Sequence, residues 1–161
     1  MTQKGKCIAD SCVTLSALMG PQDTNNLGNV HGGVIMKMID EAAALAAMRH
    51  AGRPVVTVVV DSVTFMHPVH VAMLVVCRAE LTYVGRTAME VRVEVLTENP
   101  FEGTSILSNT AYLVFVALGD GGRPTPVPPL IYETDEEHAQ AKRAEERQAY
   151  RKEQRAREME Q

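Results

Sequence analysis

Residues 32–50 read Gly-Gly-Val-Ile-Met-Lys-Met-Ile-Asp-Glu-Ala-Ala-Ala-Leu-Ala-Ala-Met-Arg-His, the one strongly helical stretch in a chain of 161 residues. Ile35, Ile39, Ala42 and Ala46 recur at helical spacing, and Gly52 followed by Pro54 supplies a stop signal. Ala42, Ala43, Ala44, Ala46 and Ala47 carry so little bulk that a curved sheet can approach the helix closely. After Pro54 the pattern becomes that of strands. Val55-Val56-Thr57-Val58-Val59-Val60 is apolar on both faces, as expected of a central strand covered on two sides. Val71 to Tyr83 reads as a second long strand and Gly85-Arg86 as a turn. From Thr87, Met89, Val91, Val93 and Val95 face one way while Glu90, Arg92 and Glu94 face the other. Ile106 to Leu118 is a further strand, ended by Gly119-Asp120-Gly121-Gly122. Upstream of the helix, residues 12–20 alternate weakly as a first strand, and turn formers fill residues 21–29.

One helix among five strands cannot build a doubly wound parallel sheet, which needs a helix at every crossover. The expected fold is α+β, an antiparallel sheet of five to six strands wrapped around one central helix. Residues 1–132 are expected to form this domain, with Pro124–Pro129 as an extended connector. Residues 133–161 read as a charged helical tail, a solvated helix that at most rests on a neighbouring subunit. It has no heptad seam, so no coiled coil is expected.

Composition narrows the function. Aromatic residues make up 4 % of the chain and Trp is absent, which leaves no platform for stacking bases. Residues 1–132 carry nine Lys/Arg against eleven Asp/Glu, and residues 133–161 carry seven against nine. Neither part is a basic patch, so nucleic acid is not an expected partner. Cys7, Cys12 and Cys77 are an odd number without CxxC spacing, which suits a reducing compartment. The apolar stretch after Lys4 and Lys6 is broken by Asp10, Ser11 and Ser16, so neither a signal peptide nor a membrane span is expected. The expected location is the cytoplasm.

The stretch richest in chemistry is Asn29-Val30-His31-Gly32-Gly33, which leads into the helix carrying Asp40. Glycines at a helix start leave backbone N–H groups bare, with the positive end of the helix dipole behind them. Such a terminus can hold an anion or a developing oxyanion, or it can simply be a flexible helix start. The helical neighbours of Asp40 are Met36, Ala43, Ala44 and Ala47, which leaves room beside the carboxylate. It is either a site residue or a solvated Asp bridging to Lys37. Asp40 lies eight residues beyond Gly32, about 12 Å along the axis, so Asn29 and Asp40 of one chain do not meet. A site that uses both takes them from two subunits. His67 and His70 flank Pro68 without a completing set, so no metal is expected, and His50 and His138 read as surface residues. There is no GxSxG elbow, P-loop or dinucleotide fingerprint.

Gly28-Asn29-Val30-His31-Gly32-Gly33 followed by Met38-Ile39-Asp40-Glu41-Ala42 resembles the signature of cytosolic acyl-coenzyme A hydrolases with a hotdog fold. Val60-Asp61-Ser62-Val63-Thr64-Phe65, Thr87-Ala88-Met89-Glu90-Val91 and Pro126-Val127-Pro128-Pro129 with Glu133-Thr134 extend the likeness over roughly residues 12–137. The resemblance implies hydrolysis of fatty acyl-CoA to fatty acid and CoA, with no cofactor beyond the CoA of the substrate. It implies that Asn29 and Asp40 are catalytic and come from different subunits of a hotdog dimer, which commonly assembles into a trimer of dimers, a hexamer. The backbone of His31, Gly32 and Gly33 is then expected to polarise the thioester carbonyl, and Arg86, Thr87 and Ala88 to contact CoA, although by themselves Arg86 and Thr87 read equally as residues that cap a turn. The chain departs from the pattern at His67-Pro68-Val69-His70-Val71-Ala72-Met73, where relatives often carry Arg and then Val-Gly-Asp. Arg86 or Arg123 is left to hold the CoA phosphates.

Two other readings stay open at this level. A hotdog enoyl-CoA hydratase or dehydratase would move a proton with His31, the one candidate near the helix start. A non-catalytic acyl-CoA-binding module would bind without turnover. About eleven residues before the first strand are too few for the DNA-binding helix-turn-helix of such regulators.

Overall fold

The computed structural model describes residues 3–61 and 63–160. Strand β1 is Lys6–Cys7 and β2 is Val13–Leu18, and helix α1 spans Gly32–Ala51. Four strands follow: β3 Val55–Val60, β4 Leu74–Val84, β5 Ala88–Asn99 and β6 Thr104–Ala117. The short β7, Leu130–Ile131, precedes a second helix, α2, over Asp135–Met159. Five strands form one antiparallel sheet in the order β2-β4-β5-β6-β3. The expected α+β architecture of one central helix and an antiparallel sheet is the architecture found. The sequence reading did not foresee a small parallel pair, β1 with β7, which ties the N-terminus to the Pro-rich connector.

Helix α1 is buried along Ile35, Met38, Ile39, Ala42, Ala43, Ala46, Ala47, His50 and Ala51, the stripe that 3.6-residue periodicity requires. Its four central alanines have no solvent exposure. Opposite them the sheet offers Met89, Val91, Val93 and Val95 from β5 and Ala111, Leu113, Phe115 and Ala117 from β6. The helix touches all five strands of the sheet. Gly52 closes it in the left-handed conformation at φ 64°, where its N–H donates to Met48 O.

Three readings need correction. Val55–Val60 is not a central strand: β3 is an edge strand paired only with β6, bulged between Thr57 and Val59, and Val56, Val58 and Val60 are exposed. An all-apolar run says that both faces avoid water, not which chain covers them. His50 is not a surface residue either. It is fully buried near the end of α1 with Nε2 2.7 Å from Pro128 O, and burial pushes its imidazole pKa below the ordinary value. The C-terminal helix is not a free, solvated tail. Ala141 and Ala144 are buried, and the Arg147 guanidinium stacks 3.8 Å from the Tyr112 ring centroid on β6. A docking stripe of Ala and Arg carries no hydropathy signal.

Ser62 of the Val60–Phe65 motif lies outside the described residues. At the departure from the family pattern, Ala72 is the one non-glycine residue with positive φ among the described residues, at 69°. A Cβ is disfavoured in this region, so the turn into β4 is strained. Ala72→Gly should therefore stabilise the protein by about 1 kcal/mol in urea unfolding. An unchanged or lower midpoint would show that the loop is not strained there.

Candidate active site

The loop before α1 is a self-closed turn built on Asn25. Its Oδ1 accepts the N–H groups of Leu27 at 2.9 Å and Asn29 at 3.2 Å, while its own N–H donates to Asn29 O at 2.7 Å. Asn29 bridges to His70, and Val30 N–H donates to Val69 O at 2.7 Å. The loop is thus stitched to the segment between β3 and β4. No hydrogen bond to the Asn29 side-chain amide exists among the described residues, so that amide is available to a ligand.

His31 is the N-cap of α1. Its Nδ1 accepts from Gly33 N at 2.9 Å, and Val34 N donates to His31 O at 2.9 Å. The expectation that Gly32 and Gly33 both present bare N–H groups therefore changes. Gly33 N–H is engaged by its own cap, and Gly32 N–H is the one without a protein acceptor among the described residues. Phe65 roofs this start: a Cβ built on Gly32 would lie 3.4 Å from its ring. The cap engages Nδ1 of His31 and leaves Nε2 without a protein partner among the described residues.

Asp40 faces the edge of the sheet. Its Oδ1 accepts a hydrogen bond from Thr57 Oγ1 at 2.8 Å. Lys37 pairs instead with Glu41 at 3.7 Å, so Asp40 is not the lysine-bridging surface Asp that its helical position allowed. Thr57 pairs with Phe115, and Phe115 with Met89, so one row crosses β3, β6 and β5. Ala88, where the Arg86-Thr87-Ala88 turn enters β5, is next to that row and so lies about two strand spacings from Thr57, about 10 Å. Within the turn, Arg86 O accepts from Val127 N and Thr87 O from Ala117 N, and the Arg86 side chain is exposed. No hydrogen bond or ion pair joins Asn29 to Asp40 among the described residues, and the helix rise between Gly32 and Asp40 is about 12 Å.

Sequence reasoning missed Thr57 and Asn25. Thr57 was hidden inside an all-valine run, where a lone hydroxyl reads as a β-branched strand former. Asn25 carries the turn-former signal of its loop, but that signal does not separate it from Asn26.

The thioesterase superfamily profile matches residues 27–103. The acyl-CoA thioester hydrolase YkhA of Bacillus subtilis is 38% identical over 136 residues, which cover 84% of this chain and 79% of that protein. The chain belongs to the acyl-CoA thioester hydrolase family. Among solved structures, an acyl-CoA hydrolase from Staphylococcus aureus in complex with butyryl-CoA and CoA superposes with a TM-score of 0.88 at 36% identity. The match covers 96% of this chain and 94% of that one. An apo-hexameric acyl-CoA thioesterase superposes at 0.90 with 36% identity, covering 96% and 99%. Alanine variants of the Staphylococcus aureus hydrolase at an Asn, an Asp and a Thr have also been solved. The fold is thus the hotdog fold of this family, and the single helix wrapped by the sheet is its core. No helix among the described residues is long and apolar enough to cross a membrane, and no group of three potential metal ligands occurs among them.

The His31 side chain caps the start of α1 through its bond from Gly33 N–H. His31→Ala should lower stability by about 1 kcal/mol in thermal unfolding, and His31→Asn should restore most of it. Equal stability of His31→Ala and the wild type would remove the capping role.

Proposed function

We propose that this chain hydrolyses fatty acyl-CoA thioesters to free fatty acid and CoA, at a site shared between two subunits. The observation that carries the reading is the position of Asp40, a carboxylate held by Thr57 at the open edge of the sheet beside exposed Val56, Val58 and Val60. An apolar edge strand with unpaired backbone groups invites pairing with a second copy of itself. That pairing makes a dimer and carries each Asp40 to the partner's surface, where the start of the partner's α1 can lie. Further assembly to a hexamer of three dimers follows the hexameric relative.

The chemistry is economical. The thioester carbonyl lies at the helix start, where Gly32 N–H and the helix dipole stabilise the oxyanion. Asp40 from the other subunit activates a water, or attacks the carbonyl itself. Thiolate is a good leaving group, so no strong acid is needed. Thr57 fixes the carboxylate rotamer. Arg86, Thr87 and Ala88 hold the CoA end beside Asp40. The free cysteines Cys7, Cys12 and Cys77 fit a reducing, cytoplasmic setting.

A loop amide orients the carbonyl or the water. Asn29 is one candidate, with its side chain unengaged. Asn25 is the other. In the Staphylococcus aureus hydrolase the Asn, Asp and Thr replaced by alanine are separated by the same two intervals as Asn25, Asp40 and Thr57 here. The Nδ2 group of Asn25 is also free, since only its Oδ1 is bonded within the loop.

Release of free CoA thiol from a panel of acyl-CoAs tests the reading. Asp40→Ala should lower turnover by about a hundredfold or more, and so should alanine at whichever of Asn29 and Asn25 supplies the amide. Co-expressing the two inactive variants should restore part of the activity, because a mixed dimer holds one intact site and one doubly damaged site. Wild-type protein inert on every chain length would refute the function, and no recovery on mixing would place both residues in one chain.

A further inference from the structure

Glu90 points away from the core of the sheet yet its side chain is only 1% exposed, so its charge must be matched. Helix α2 supplies the match. Arg147 Nη2 lies 2.6 Å from Glu90 Oε1 and Arg151 Nη2 2.6 Å from Oε2, while Thr82 Oγ1 donates to Oε1 at 2.7 Å. These contacts seat α2 across the outer face of the sheet. Arg151 also does something that the seating does not need. Its Nε and Nη2 form a two-pronged pair with Asp61, at 3.0 Å to Oδ1 and 2.6 Å to Oδ2.

Asp61 is the first residue beyond β3, and its N–H donates to Tyr112 O at 3.0 Å, extending the pairing of β3 with β6 by one step. The strand it terminates is at the edge of the sheet, has one neighbour and is bulged at its middle. Such a strand has little of its own to fix its twist and register. Two side-chain contacts hold it, one at each side of the bulge: Thr57 to Asp40 in the core-facing direction and Asp61 to Arg151 on the outer side. Three residues beyond Asp61, Thr64 O accepts from Asn109 Nδ2 at 2.5 Å, and the Phe65 ring that follows packs on Gly32.

We propose that Arg151, from the C-terminal helix, is a positioning residue for the reaction: its fork on Asp61 fixes the lie of β3 and thereby keeps Thr57 on Asp40. The proposal rests on the reading of Asp40 as the catalytic carboxylate. Arg151 touches neither substrate nor reacting atoms; its effect runs through the edge strand. The helix is in this view a strap whose seating on Glu90 is structural and whose grip on Asp61 is functional.

The test compares Arg151→Met, Arg151→Lys and Asp61→Asn with the full-length wild type, alone and with Thr57→Val. Two quantities are read: kcat and KM for CoA release, and amide hydrogen exchange in peptides covering residues 55–61 and, as a control, 88–99. The expected result for Asp61→Asn is faster exchange confined to β3 and a kcat lowered about ten- to a hundredfold with KM little changed. Arg151→Met, which also takes one of the two arginines from Glu90, gives the same loss of kcat with exchange raised in residues 88–99 as well. Arg151→Lys should recover part of both, because an ammonium keeps one contact of the fork. On the Thr57→Val background Arg151→Met should cost no more, since both act through one contact. Unchanged exchange in β3, an unchanged kcat, or a loss that multiplies with Thr57→Val would each overturn the proposal. If Arg151→Met fails to fold, Asp61→Asn carries the same readouts. Exchange needs no substrate, so failure of the strap is distinct from failure of the thioesterase reading, which appears as no thiol release by the wild type.

Discussion

The close approach of an alanine-lined helix to a curved sheet is the constraint on which the rest of the molecule depends. Ala42, Ala43, Ala46 and Ala47 have no exposure, and the sheet meets them with Val91, Val93, Leu113 and Phe115. A helix faced with leucines would stand farther off, and the interior packs at crystal-like density, so the sheet would have to flatten. Because the sheet curls tightly, its last strand, β3, comes round beside the middle of α1. That is where Asp40 sits, and the hydrogen bond from Thr57 is a direct consequence of the curvature. The catalytic candidate is thus placed by packing rather than by a dedicated loop.

The same curvature leaves an open edge. Five strands do not close around the helix, and β3 ends the sheet with its valines exposed. Edge strands of this kind are usually blunted by charge or proline. Here the outer end of β3 is instead clamped to α2 by Asp61 and Arg151, and its face is left apolar. An edge that is apolar, ordered and adjacent to a carboxylate is a surface suited to a second copy of the chain. In the proposed mechanism the helix start supplies an N–H and a dipole and the middle of the helix a carboxylate, two groups separated in one chain by about 12 Å of helix rise.

Much of this was legible in the sequence because the signals were local and periodic. The alanine stripe, the Gly52 stop and the alternation of Met89 to Val95 each report one element's own geometry. What was not legible depended on partners far along the chain. Val55–Val60 carries the pattern of a covered strand whichever chain covers it, so its edge position needed the sheet order. Burial of His50 depends on the connector through Pro128, 78 residues away. The docked face of α2 is written in Ala141, Ala144, Arg147 and Arg151, whose buried role appears only once Glu90 and Asp61 are placed opposite. At the candidate site, Asp40 stood out by its neighbours, whereas Thr57 was a strand residue like the valines around it. Of the loop asparagines, Asn25 spends its side-chain Oδ1 on the turn and Asn29 does not, a difference that their local sequence does not show.

In the proposed mechanism one thioester is held by the helix start of one subunit and the carboxylate of another. The most direct measurement is a crystal structure of the assembled protein with a non-hydrolysable acyl-CoA analogue bound. The analogue's carbonyl oxygen is expected within hydrogen-bond distance of Gly32 N–H in one protomer, with Asp40 of the partner subunit facing the carbonyl carbon. A carbonyl held by residues of a single chain, or an acyl group bound away from the β3 edge, would contradict it.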